Sequence, residues 1–141
     1  MENKLSDTES LRLTAEEFLR TIKNGDIQGF IEFLDDEGEI VIDVDTYMTK
    51  SQIANDLYRK GEIYCFVFDE TKCKNTRIKK SIKKLFSTAK EIKINVAPIS
   101  DIGEHLAIVE FIWDGKPPEF LDPWFKLTPK GWKLVNLFAT N

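Results

Sequence analysis

The chain has 141 residues, 42% of them hydrophobic and 31% charged, with a formal net charge of -4. That length suits one domain able to bury its own core without metal or disulfide help, and 10 Phe, 3 Trp and 3 Tyr argue against disorder. Its apolar runs fall short of the ~20 residues needed to cross a bilayer, and the opening MENKLSDTES lacks a basic-then-apolar leader. A soluble, cytoplasmic protein is expected.

Charge is unevenly spread. Residues 1–71 carry 17 acids and 7 bases, residues 72–90 carry 8 bases and no acid, and residues 91–141 carry 7 acids and 5 bases. The chain is therefore acidic with one basic segment.

In chain order, residues 1–13 read as a flexible arm and residues 14–141 as a single domain. Thr14 and Glu17 have capping-box spacing, predicting a helix from Ala15 to Lys23 with Phe18, Leu19 and Ile22 inside and a stop at Asn24-Gly25. Asp26 is placed to cap a second helix to Asp35, lined by Ile27, Phe30, Ile31 and Leu34. Ile40, Ile42 and Val44 alternate with Val41, Asp43 and Asp45 as in a half-buried strand. Thr49 and Gln52 predict another cap, for a helix carrying Ile53 and Leu57 and ending near Gly61.

Ile63 to Phe68 is apolar on both sides and reads as a central covered strand. Ile78, Ile82 and Leu85 then mark an amphipathic basic helix. From Glu91 onward the period is two: Ile92/Ile94/Val96, then His105 to Trp113, then Phe120 to Leu127 and Trp132 to Phe138. The short connections at Asp101–Gly103 and Thr128–Gly131 require antiparallel neighbours. The fold class that follows is α+β, with N-terminal helices packed on a curved, mainly antiparallel sheet of about six strands.

The helical pair over 15–35 and the closing run from Pro123 to Leu137, an aromatic strand, tight hairpin and Gly-Trp-Lys strand, resemble the NTF2-like, cone-shaped α+β family. The resemblance implies helices closing one side of a bent sheet around a pocket. The family includes enzymes and non-catalytic modules, so it implies no single activity.

Cys65 and Cys73 have neither CxxC nor metal-ligand spacing; two unpaired thiols are the plainer reading, with one bridge between them open if the intervening segment turns back. His105 is the sole histidine, and its type suits proton transfer. Glu110 interrupts the apolar set Ile108/Ile112 and would serve as a base there, or else pair with Lys93 across the sheet. Tyr64 is a candidate polariser. Val109, Phe111, Trp113, Trp124 and Trp132 are the expected pocket wall. Asp43 and Asp45 share a strand face, but lack the further oxygen ligands of a hard-metal site, so no metal and no cofactor are expected.

No phosphate loop, nucleophile elbow or zinc-protease pair is present. Arg77, Lys79, Lys80, Lys83 and Lys84 form a candidate partner-binding patch for an acidic protein surface, whereas overall acidity and the absence of interleaved aromatics disfavour nucleic acid. The sequence thus favours a non-catalytic module binding a protein or small apolar ligand. Two alternatives stay open: an isomerase- or dehydratase-type enzyme using Glu110 or His105, and a homodimeric structural domain.

Overall fold

The structure, a computed structural model, describes residues 7–43, 46–74, 79–99 and 104–137. Helix α1 (Asp7–Asn24) starts ahead of the Ala15 expected, so Thr14 and Glu17 lie inside the helix rather than at its cap. Leu11, Ala15, Phe18, Leu19 and Ile22 are buried, extending the apolar stripe by two turns. The helix ends where Gly25, at φ 68°, turns left-handed. There the N–H groups of Asp26 and Gly25 reach the carbonyls of Thr21 and Ile22, satisfying the last turn as a Schellman cap does. Helix α2 (Ile27–Glu32) is capped by Asp26, as the sequence predicts: its carboxylate accepts from the Gly29 N–H at 3.0 Å.

Strands β1 (Glu39–Asp43) and β2 (Thr46–Thr49) form a hairpin where the sequence offered one strand. Thr49 then starts α3 (Lys50–Tyr58) with the full capping box expected, its hydroxyl receiving Gln52 N–H and the Gln52 side chain receiving Thr49 N–H. The next segment overturns its reading. Ile63 to Phe68 is not a central strand but most of helix α4 (Glu62–Phe68), with Ile63, Cys65, Val67 and Phe68 buried. A 3-10 turn (Glu70–Lys72) follows, and Cys73 bridges back to Cys65 with the two Cα atoms 5.0 Å apart, so the thiols are not free.

The basic helix is shorter than expected. Ser81 caps it, accepting from Lys84 N–H at 3.1 Å, so α5 covers only Ile82–Thr88 and leaves Lys79 and Lys80 ahead of the cap. Arg77 lies outside the described residues.

Strands β3 (Glu91–Ile99) and β4 (Glu104–Ile112) pair antiparallel along their length. The predicted strand from Phe120 to Leu127 divides into β5 (Glu119–Leu121), on β4, and β6 (Trp124–Thr128), which pairs with β4 and with β7 (Gly131–Asn136). The curved, mainly antiparallel sheet of about six strands is therefore corrected: the sheet has seven strands, is mixed, and is open. Its order is β2-β1-β7-β6-β4-β3 with β5 beside β4, and β1 runs parallel to β7 through Val41 and Asn136. The α+β class itself holds.

One core joins helices to sheet. Phe18 of α1 lies 5.2 Å from Phe30, 5.6 Å from Phe33 and 5.6 Å from Phe125 (ring centroids), tying α1 to α2 and β6. A buried ring of this kind is worth about 1.5–3 kcal/mol through the apolar surface it removes from water.

Candidate functional site

Strand alternation sorts the sequence's candidates onto two faces. Ala107, Val109 and Phe111 are fully buried beneath the helices, and His105, on the same face, packs edge-on to Trp132 at 5.1 Å. Trp132 is buried and donates from Nε1 to Ser10 Oγ at 3.1 Å. Nδ1 of His105 is buried without a hydrogen-bond partner.

Glu110, five residues further along β4, points to the opposite face, where its register partners are Lys93 on β3 and Phe120 on β5. Tyr64 belongs to α4, with its ring 5.9 Å from Phe68. These three do not converge. Trp124 pairs with Leu106, which alternates away from His105 and Ala107. Trp113 is half-buried past the end of β4, donating from Nε1 to Thr88 Oγ1 at 3.2 Å. Of the expected pocket wall, Val109, Phe111 and Trp132 are core residues of the helix-covered face. Asp45 lies outside the described residues and Asp43 ends β1. Among the described residues no group of three or more His, Cys, Asp or Glu is placed to hold a metal ion, and no helix is long and apolar enough to cross a membrane.

The basic segment does gather into a site. Ser81 is the hinge of its geometry: its N–H and hydroxyl both donate to Glu70 Oε1, at 3.0 and 2.9 Å, while its Oγ caps α5. The Ser81 N–H, aided by the hydroxyl and the nearby Lys84, holds the Glu70 carboxyl below the usual carboxylate range, although partial burial opposes this. With the 3-10 turn pinned by that latch and by the Cys65–Cys73 bridge, α5 packs against α1 and α4. A groove of about 300 Å³ opens between these elements, lined by Lys23, Phe68, Glu70, Ser81, Lys83, Lys84 and Ser87.

The sequence missed Lys23, Phe68, Glu70, Ser81 and Ser87 as members of one site, because they come from three helices, a 3-10 turn and a cap. The visible signal was Lys23, a base in the last turn of a helix that ends at Asn24-Gly25. Lys80, next in sequence to Ser81, has its Nζ 4.6 Å from the Trp113 ring centroid and 3.6 Å from Glu119 Oε2, neither of them a groove residue. Lys79, Lys83 and Lys84 form no ion pair with any described residue.

No protein-family model and no curated protein matches the chain. Among solved structures, an NTF-2 like protein of unknown function from Shewanella oneidensis aligns with a TM-score of 0.51 at 6% identity, over 93% of this chain and 96% of that one. The beta subunit of the benzoate 1,2-dioxygenase from Burkholderia mallei aligns with a TM-score of 0.50 at 12% identity, over 95% and 89% of the two chains. Such identities speak to architecture alone: the fold is similar to that of NTF2-like structures.

Proposed function

We propose that the chain is a non-catalytic binding module that engages an acidic protein surface through the lysine face around α5. The observation that carries this reading is the set Lys79, Lys83 and Lys84, which form no ion pair with any described carboxylate although the chain as a whole is acidic. A concentrated positive patch on a negative molecule orients diffusional encounter with an acidic partner and penalises basic ones. Proton-transfer chemistry finds no comparable support, since His105 and Glu110 occupy opposite faces of β4. The Cys65–Cys73 bridge fits an oxidising compartment better than the cytoplasmic one expected from the sequence.

The test replaces Lys79, Lys80, Lys83 and Lys84 with Glu and compares capture of cell proteins with the wild-type chain at low and raised salt. A control variant, Lys93→Glu with Lys126→Glu, carries reversals outside the face. The expected result is salt-sensitive capture of acidic proteins that the control keeps and the folded four-site variant loses. Capture unchanged by the four reversals overturns the reading.

A further inference from the structure

Lys23, Lys83 and Lys84 line one groove, and among the described residues the only carboxylate lining it is that of Glu70. Glu70 is already engaged by the N–H and hydroxyl of Ser81. Of the three lysines, Lys83 is the most constrained. It is half-buried, and its Nζ lies 3.1 Å from where a Cβ on Gly25 would stand, so the ammonium is drawn across the turn between α1 and α2 rather than extended into water. The carbonyl end of α1 attracts one cation at this place. It does not account for three, whose mutual repulsion raises the free energy of the empty groove.

The lining selects the anion. Among the described lining residues, three lysines against one glutamate leave a formal charge of +2, which matches the roughly -1.5 to -2 of a phosphate monoester near neutral pH. Among the described residues the cations that line the groove are all lysines. Lysine ammonium groups bind phosphate as point charges. Phe68, 7% exposed, and the methylene stems of the lysines offer an apolar surface for the organic part of an ester. The wall is held in place by the Cys65–Cys73 bridge and the Glu70–Ser81 latch.

We propose that this groove, between the ends of α1 and α4 and the face of α5, binds a phosphate monoester through Lys23, Lys83 and Lys84. The proposal rests on the lysine face being a binding surface, and it names the chemical group that the face takes.

Phenyl phosphate and inorganic phosphate are titrated separately into the full-length, disulfide-bonded chain at constant ionic strength, with backbone amide shifts as the readout. The expected result is saturable shifts centred on Gly25 and Ser81–Ser87. Lys83→Gln and Lys84→Gln each weaken binding about tenfold, the scale of one lost charged contact, while Lys93→Gln leaves it unchanged. Tighter binding of phenyl phosphate assigns an ester as the ligand, and equal binding assigns free phosphate as its source. Shifts that fail to saturate, or that survive both groove substitutions, overturn the proposal. Phosphate binding without charge-dependent protein capture leaves the groove standing and removes the acidic-protein reading, and the opposite pair of results does the reverse.

Discussion

Asp56 is 4% exposed, its Oδ1 accepts from the backbone N–H of Tyr64 at 3.1 Å, and Arg59 Nη2 stands 3.9 Å from Oδ2. Tyr64 lies in the first turn of α4, where N–H groups have no partner within the helix. Gly61, at the cap position, has no side chain to supply one. Asp56 thus caps α4 from the preceding helix. A Cβ on Gly61 would clash with Asp56 Oδ2, so the cap requires a glycine there. Asp56→Ala is expected to cost about 1.5–3 kcal/mol, the range for a hydrogen bond to a charged group, read as a lower urea midpoint. Gly61→Ala is expected to destabilise through the same contact. In the Asp56→Ala background the added methyl no longer meets a carboxylate, so the two losses should add to less than their sum. Full additivity in that double-mutant cycle removes this account of the α3–α4 junction.

At the scale of elements, the same cap explains why the sequence of α4 has the pattern of a strand. Periodicity cannot separate a short helix buried on most sides from a covered strand, and Ile63, Cys65, Val67 and Phe68 are all buried here. The deciding signals, Asp56 upstream and Cys73 downstream, act across turns and leave no local pattern. Asp26 and Thr49, by contrast, cap the helices that begin right after them and were legible. The bridge makes its own prediction. Closing a loop over a separation of 8 residues removes entropy from the unfolded chain worth about 2–3 kcal/mol, so Cys65→Ala with Cys73→Ala should lower the unfolding midpoint accordingly. Reduction of the wild-type chain should reproduce that drop, and a midpoint indifferent to reductant argues against a bridge in solution.

The Glu70–Ser81 latch is an element-scale feature too, and it is linked to protons. Because the folded carboxyl titrates below its ordinary value of 4.5, held first by the Ser81 N–H, its contribution is complete above that value. It is lost as pH falls through the lower folded value. Glu70→Gln keeps an acceptor for Ser81 but removes the titration, so the acid side of the stability profile should flatten in urea melts between about pH 6 and pH 3. Asp36 and Asp69, also held below the usual range by Lys130 and Thr71 respectively, retain their shares of the acid dependence. A Glu70→Gln profile that parallels the wild type assigns the acid dependence to other carboxylates.

Over the whole molecule, the short-range part of the sheet was legible and the long-range part was not. The β3–β4 and β6–β7 pairs join neighbouring strands, and their alternation and turns announced them. Nothing in a local pattern announces that Val41 pairs in parallel with Asn136, or that Leu134 forms a bridge with Leu34. The lysine groove was legible only as a basic segment, because its remaining lining comes from the ends of α1 and α4 and from the 3-10 turn. Strand β7 is the join between the two parts of the sheet: β1 and β2 lie on one side, β6, β4 and β3 on the other. Leu134 sits at that join, fully buried, with its N–H donating to Phe33 O at 2.7 Å and its carbonyl receiving Asp35 N–H at 3.0 Å. Leu134→Ala leaves those backbone bonds intact but opens a cavity between sheet and helices, at an expected cost of about 2–5 kcal/mol. Leu127→Ala, on the next strand but 49% exposed, should cost under about 1 kcal/mol. Since the join depends on contacts some hundred residues apart, much of the Leu134 loss should appear as slower refolding if β1 docks on β7 in the transition state. It should appear as faster unfolding if docking comes afterwards. Equal small losses at Leu134 and Leu127 would show that β7 does not hold the two parts together.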